Sequence, residues 1–426
     1  MDVLIFVGTL LGFMAFGMPI AFALILGAIG LMFHLSFFDP QIIVQNMLTG
    51  ADNFSLMAVP LFILAGEIMN AGGMSRRMVF MATTLVGHIK GGVGYVAIMA
   101  SILLAALSGS AVADAAALAA LLVPMLRKQG YDMGQSTGLI AAGGIIAPII
   151  PPSISFIIFG VAANISVTKL FIAGIVPGLL MGLSLTAVWA YSARRSTGIT
   201  MAPKESGAVR LKAFRDSLWA LFLPIIIIGG LRGGIFTPTE AGAVAAAYAL
   251  LISVFVYREI GLRLLFRVLV NTARTTSIVM YLVAASLVAS YMITLADLPD
   301  QLIDLLGPLT DSPTLLMLLI VVLLTLIGTA MDLTPTILIL APVMMPVIQK
   351  AGIDPTYFGV IFVIVGCAGL LTPPVGTVLN VVCSVARVRM EDVIKGVMPY
   401  VITYTLLVML MVIFPQIVLV PLDWFY

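Results

Sequence analysis

The sequence predicts an all-α polytopic membrane protein made of two inverted-topology repeats, and three observations carry that expectation. Apolar residues make up 62% of the 426-residue chain and charged residues 9%, with a mean hydropathy of +1.19, too little polar surface for a water-soluble globule. The apolar residues fall in many runs of roughly 15 to 25, each able to cross or enter a hydrocarbon core of about 30 Å. One segment also recurs later in the chain with its glycines and prolines in register.

Taken in order, residues 3–35 lack a basic leading region and a small-residue cleavage site, so they read as a retained membrane segment rather than a secretory signal. Whether they form one long span or two short ones around Met18-Pro19 is open at this level. Residues 1–90 are expected to be scaffold helices, residues 91–193 the first repeat, and residues 194–216 a cytoplasmic basic loop. Scaffold and leading helices of the second repeat follow over 217–312, and the second repeat with the C-terminal span over 313–426.

Orientation follows from the loops. The segment from Arg194 to Asp216 carries Arg194, Arg195, Lys204, Arg210, Lys212 and Arg215 against Glu205 and Asp216, which places it in the cytoplasm. Spans near 217–230 and 238–257 return the chain to that side, where Arg258, Arg263, Arg267 and Arg274 form a short amphipathic stretch. A span near 276–296 leads out to a loop with Asp297, Asp300, Asp304 and Asp311 and no Lys or Arg. Trp189 and Trp219 flank the basic loop and Trp424 lies near the C-terminus, as interfacial aromatic residues do.

The repeat relates residues 124–177 to 346–399 at an offset of 222 without a gap. Its identities are Pro124/Pro346, Lys128/Lys350, Gly130/Gly352, Asp132/Asp354, Gly144/Gly366, Pro151/Pro373, Pro152/Pro374, Ile172/Ile394, Gly174/Gly396 and Pro177/Pro399. Most of these residues dictate backbone geometry. The first copy begins on the cytoplasmic side at Arg127 and Lys128 and runs outward to 164–169; the second begins outside at 349–354 and runs inward to Arg387 and Arg389. The copies are therefore inverted, a recurring build for secondary transporters with a site at the midplane. Upstream of each lies an apolar run interrupted at Ser108-Gly109-Ser110-Ala111 or Gly328-Thr329-Ala330. These two centres match only after a three-residue shift, and each run starts and ends on one side, which requires a re-entrant hairpin.

Each repeat also carries a break, from Gly143-Gly144 through Ala147-Pro148-Ile149-Ile150-Pro151-Pro152-Ser153 and from Gly366 through Leu371-Thr372-Pro373-Pro374-Val375-Gly376-Thr377. Proline removes amide donors and leaves carbonyl oxygens free. Unpaired backbone at membrane depth is tolerated only inside protein or beside a wet cavity, and oxygen ligands suit a hard cation such as Na⁺. The bland reading of a single break is a proline kink; two symmetry-related breaks facing two hairpin tips favour a site. One Na⁺ site is expected at Ser108, Ser110, Gly144 and Pro148, and a second at Gly328, Thr329, Gly366 and Thr372. The solute is expected at Ser110, Ser153, Ser155 and Thr377, with Asp114 and Asp332 beside it, since intramembrane carboxylates are costly. The alternative for the two aspartates is a structural cap of the hairpin turn. Glu67 and Glu240 lack repeat symmetry and read as packing or interface groups.

The windows 108–114, 144–160, 328–334 and 366–380 hold no Lys or Arg, so helix N-termini, hydroxyls and bound Na⁺ would have to attract an anion there. No GxxxxGK[ST] loop is present for ATP. His34 and His88 lie apart at span ends and form no metal or Ser/His/Asp cluster, and Cys367 and Cys383 read as packing residues. A net charge of +2 with scattered basic residues argues against nucleic acid. The same breaks would also suit an ion or anion channel, and two membrane aspartates would suit a hydrolase; neither alternative uses paired inverted hairpins.

The tip Ser108-Gly109-Ser110-Ala111-Val112-Ala113-Asp114, the break Ala147-Pro148-Ile149-Ile150-Pro151-Pro152-Ser153 and its partner Leu371-Thr372-Pro373-Pro374-Val375-Gly376 resemble the large membrane subunit of tripartite ATP-independent periplasmic (TRAP) transporters. The resemblance spans essentially the whole chain. It implies a multi-pass protein of the bacterial inner membrane with an elevator-type ion-transporter fold and no enzymatic activity. It further implies a small four-helix membrane subunit and a soluble periplasmic substrate-binding protein as partners. The implied cargo is an organic acid of the sialic acid or C4-dicarboxylate class, with a lean to sialic acid, coupled to Na⁺.

Overall fold

Capping residues decide where each helix of this chain starts and stops, and the repeat shows it twice over. Asp132 accepts from Gln135 N at 2.7 Å and Asp354 from Tyr357 N at 2.8 Å, so the two matched aspartates open matched helices. Upstream of each, Gly130 and Gly352 take φ +76° and +68°. They end the preceding helices with paired bonds, Gly130 N to Arg127 O with Tyr131 N to Leu126 O, and Gly352 N to Gln349 O with Ile353 N to Ile348 O. Any residue with a Cβ is strained in that left-handed conformation.

The computed structural model describes residues 2–195, 200–298, 301, 312–373 and 376–425. Asp300, Asp304, Asp311, Pro374, Val375, Tyr426 and part of the basic loop lie outside the described residues. In chain order the helices are α1 Asp2–Ala15, α2 Ile20–His34, α3 Pro40–Ala51, α4 Ala58–Ala71, α5 Met74–Val86, α6 Gly92–Ser108, α7 Ala111–Lys128, α8 Met133–Gly144, α9 Ile154–Ala162 and α10 Val167–Arg195. The second half contains α11 Gly207–Arg232, α12 Pro238–Leu251, α13 Leu262–Leu295, α14 Pro313–Gly328, α15 Leu333–Lys350, α16 Pro355–Gly369, α17 Thr377–Ala386, α18 Met390–Ile413 and α19 Gln416–Phe425. Among the described residues, seven helical segments are long and apolar enough to cross a membrane.

The two repeats pack as a two-fold pair. The half-helix after each break lies against the second arm of the other repeat's hairpin, α17 on α7 and α9 on α15. Likewise α18 lies along α8 and α10 along α16. Reciprocal contacts of this kind are the mark of an isologous arrangement. The hairpins enter from opposite ends. Arg127, at the base of α6–α7, donates to the carbonyl of Ala386 at the end of α17, which sets the first base at the end where the broken helix α8–α9 begins. The base of α14–α15 lies at the other end, where α9 finishes.

The remaining helices form a second body. There α4 packs on α12, α2 and α3 on α13, and α5 on α11. The two bodies meet along α5 and α4 with α6 and along α13 with α15. A separate core made by Phe6, Leu10, Leu24, Leu31 and Met32 with Ala285, Val288 and Met292 ties α1 and α2 to α13.

Several expectations change. Residues 3–35 form two short antiparallel helices, turning at Gly17 (φ +80°) before Pro19. Asp2 pairs with His34 at 3.1 Å and accepts from Gln301 at 3.1 Å, so the start of α1 and the end of α2 lie beside the segment that follows α13. The arginine stretch and the span after it are one continuous 34-residue helix, α13. The second part of the basic loop already belongs to α11, because Ser206 caps it through Val209 N. Trp189 is not an interfacial residue: it is 2% exposed, and its Nε1 donates to Gly91 O at 2.8 Å. An indole with a satisfied N–H is stable in a core. Trp219 and Trp424 are exposed as expected. At the cytoplasmic end Lys90 donates to Arg194 O and Arg210 meets His88, gathering the basic loops on one side. The same end holds Tyr257, whose phenol is pushed up to about 12, mainly by burial.

Candidate functional site between the hairpin tips

Both hairpin tips border one cavity of about 380 Å³. The first repeat contributes Ser108, Gly109, Ser110, Pro148, Ile154 and Ser155; the second contributes Asp332, Leu333, Thr334 and Leu370. The facing wall is scaffold, from Ile63, Gly66, Glu67 and Asn70 on α4 and Thr275 and Val279 on α13. Asn70 stands next to the end of α4, where a Cβ on Gly73 would sit 2.7 Å from Arg77 Nη1. The cavity thus reaches toward the cytoplasmic end of the protein.

The tips are built on one register. α7 runs 111–128 and α15 runs 333–350, an offset of 333 − 111 = 222, the same as in the repeat. The second arms need no shift, whereas the first arms end at Ser108 and Gly328, so the turn of the second tip is two residues longer and the expected mismatch of the tip centres lies in that turn. Ser110 and Asp332 become equivalent N-caps, while Asp114 is equivalent to Thr336. Ser110 accepts from Ala113 N at 3.4 Å. Asp332 makes no capping bond with its side chain; the carboxylate is exposed to the cavity and faces Thr377.

Asp114 is 2% exposed and does not line the cavity. Its Oδ1 accepts from the Ser108 hydroxyl, whose oxygen accepts in turn from Ser110 N at 3.2 Å. Its Oδ2 is buried with no hydrogen-bond partner among the described residues, a costly state for a carboxylate oxygen. Thr377 Oγ1 is likewise buried without a well-formed hydrogen bond.

In the first break, α8 ends in a tightened turn, with Ile146 N on Gly143 O and Ala147 N on Gly144 O, and the Pro151–Pro152 peptide bond is cis. Ser153 is fully buried, donates to Pro148 O and caps α9 through Phe156 N at 3.1 Å. It braces the break and does not face the cavity. A Cβ on Gly109 would lie 2.7 Å from Pro152 O, so the tip rests on the break. The second break has the same tightened turn, with Leu370 N on Cys367 O, Leu371 N on Ala368 O and Thr372 N on Gly369 O. Here the tip rests on Gly369, whose Cβ would lie 2.6 Å from Gly328 Cα.

Of the expected residues, Ser110, Ser155 and Asp332 line the cavity together with Ser108 and Pro148. Gly144 backs onto Ala111 and Ala115, and Gly366 onto Leu333, equivalent contacts in the two repeats. A Cβ on Gly328 would lie 3.6 Å from Gly366 O. Thr329 and Thr372 donate to Leu326 O and Ala368 O. Sequence reasoning missed the scaffold wall: Glu67 lines the cavity, and Glu240 instead closes a capping box with Thr237. The signal for Glu240 was available in Thr237 three residues ahead of it.

The oxygen-only character of the tips suits Na⁺. In the first repeat the hydroxyls of Ser108 and Ser110, the orphaned Asp114 Oδ2 and the carbonyls of Gly144 and Pro148 would hold it; in the second, the carbonyls of Gly328 and Gly366 and the hydroxyls of Thr329 and Thr372. A cation there would supply positive charge to a cavity lined, among the described residues, by Glu67 and Asp332 and by no Lys, Arg or His.

Comparison with known proteins fits this geometry. A family model described as the tripartite ATP-independent periplasmic transporter, DctM component, matches residues 7–417. The chain is 53% identical over 427 residues to the 2,3-diketo-L-gulonate TRAP transporter large permease protein YiaN of Escherichia coli, with all of both chains covered. It is 38% identical to the sialic acid TRAP transporter large permease protein SiaM of Vibrio cholerae, covering 95% of each. It is 35% identical to the C4-dicarboxylate TRAP transporter large permease protein DctM of Pseudomonas aeruginosa, covering 88% and 87%. The crystal structure of the Alcanivorax borkumensis YdaH transporter shares the fold, with a TM-score of 0.60 at 16% identity over 90% of this chain and 88% of that one. This chain therefore belongs to the DctM family, the large permease component of TRAP transporters: a multi-pass protein of the bacterial inner membrane, not an enzyme, that works with a small membrane subunit and a periplasmic binding protein.

Proposed function

We propose that the chain imports a small organic acid, handed over by its periplasmic binding protein, through a Na⁺-driven elevator cycle. The observation that carries this reading is the shared cavity, which joins two inverted hairpin tips and presents carboxylates and hydroxyls but no basic side chain. An anion enters such a site favourably only alongside cations, because Glu67 and Asp332 alone would repel it. Na⁺ at the two tips supplies that charge. Ser110 and Ser155, with the first amides of α7 and α9, then orient the solute carboxylate.

The division into two bodies supports the elevator. The paired repeats form a unit with its own reciprocal contacts, and α4 and α13 border it. Movement of the paired repeats along this wall would carry the cavity from one face to the other; the state described reaches toward the cytoplasm. Relatives named for 2,3-diketo-L-gulonate, sialic acid and C4-dicarboxylates support an organic acid as the cargo, and a small four-helix subunit would brace the scaffold.

The test is uptake in proteoliposomes containing the large and small subunits, with purified binding protein outside. Accumulation of a radiolabelled acid should require an inward Na⁺ gradient and the binding protein. Uptake that persists with choline in place of Na⁺ would overturn the reading.

A further inference from the structure

Of the carboxylates along the membrane path, Glu67 has no counterpart in the repeat: its position in the second half is Ala289 (67 + 222 = 289). The structure nevertheless places it on the cavity, half-buried on α4 and turned toward Asn271 of α13. One turn further on, Asn70 lines the same wall. The Ser75 hydroxyl donates to Asn70 Oδ1, which fixes the amide and directs its NH₂ donors away from that bond. Thr275 adds a hydroxyl beside them. A carboxylate acceptor, an oriented amide donor and a hydroxyl on one rigid wall form a set that reads sugar-type hydroxyl groups.

The opposite wall offers Asp332 and Thr334 between Leu333 and Leu370 but no side-chain amide donor among the described residues, so only the α4 wall pairs an acceptor with an oriented donor. A solute whose carboxylate sits at the hairpin amides therefore extends its other end toward α4. A second carboxylate at that end would meet Glu67 with no basic side chain to relieve it, whereas hydroxyls would donate to Glu67 and accept from Asn70.

We propose that Glu67 and Asn70 are specificity-determining residues of the scaffold wall, selecting polyhydroxylated monocarboxylates over dicarboxylates of similar length. This rests on the reading of the cavity as the solute site. A site built to bond a hydroxyl discriminates strongly against analogues that lack it, because its own polar groups are then left unpaired.

The experiment is equilibrium binding of D-gluconate and of adipate to the purified large and small subunit complex in nanodiscs at saturating Na⁺. This omits the binding protein, so only the membrane site selects. Wild type should prefer gluconate. Glu67→Gln and Asn70→Ala should each weaken gluconate about 10- to 100-fold, narrow or reverse the preference, and leave the Na⁺ concentration for half-maximal binding unchanged. Glu67→Gln keeps the size of the side chain but removes its charge and exchanges one acceptor oxygen for a donor, so a folded complex with intact small-subunit assembly is the control. Gluconate binding equal to wild type in both variants, or a wild-type preference for adipate, would overturn the proposal. Failure of both acids to bind wild type at any Na⁺ concentration would remove the solute site itself, and this inference with it.

Discussion

At the first hairpin tip Ser110 opens α7 and commits its hydroxyl to the amide of Ala113; at the second, Asp332 opens α15 from the same register and leaves its carboxylate uncapped on the cavity. The other carboxylate, Asp114, is one turn inside the first tip, buried and bonded to Ser108. One helix register in the second arms thus carries a closed polar cluster in one half and an open acceptor in the other. The difference teaches that the pseudo-symmetry governs where backbone ends, while the chemistry at those ends is assigned separately to each half. The first tip is suited to holding an ion tightly and the second to meeting what enters the cavity.

The sharpest way to break this comparison is to substitute the two aspartates in parallel. Asp332→Asn should lower uptake by about 10- to 100-fold, the loss expected for one charge-assisted contact, while thermal stability stays near wild type, because the side chain caps nothing. Asp114→Ala should instead lower stability, as it removes the acceptor through which Ser108 braces the hairpin turn and leaves a cavity behind. Thermal melting of the purified complex together with initial uptake rates separates the two outcomes. Equal stability losses in both variants would erase the distinction between an open and a closed tip.

Gly369→Ala tests the contact of the second tip with its break. The new Cβ would sit 2.6 Å from Gly328 Cα, and parting two backbones should cost about 1 to 3 kcal/mol, read as a lower melting temperature and reduced yield. A wild-type melting temperature would mean the tip is held elsewhere. Ser153→Ala should cost about 1 kcal/mol as a lost N-cap and loosen Pro148 O, raising the half-maximal Na⁺ concentration for uptake. The smallest effects are expected for Ser110→Ala and Thr372→Ala, which should each raise that Na⁺ concentration a few-fold. An unchanged Na⁺ dependence in both would count against the ion sites.

Much of the architecture was legible in Gly and Pro. Asp132/Asp354 and Gly130/Gly352 are matched because a cap and a left-handed turn each admit few residue types, and the structure gives each pair one role. Gly109 and Gly328 stand out of register because the turn of the second tip is longer, while Ser110 and Asp332, both good N-cap residues, keep the uninterrupted offset. Trp189 was misplaced because interfacial and buried indoles look alike until the partner of the N–H is known. Ser153 could not be told from a ligand because a cap and a binding hydroxyl share one sequence signature. Glu67 was set aside for lack of a symmetry partner, and only tertiary packing of α4 against the tips brings it to the cavity.

The central claim is that the cavity accepts an anion only together with cations. The direct measurement is the affinity of the purified large and small subunit complex for its organic acid across a range of Na⁺ concentrations, with ionic strength held constant by choline. Linkage requires solute and ion to strengthen each other's binding by the same factor if they share the site. The account predicts that affinity rises steeply with Na⁺ and that Na⁺ affinity rises equally with solute. Solute affinity independent of Na⁺ would contradict it.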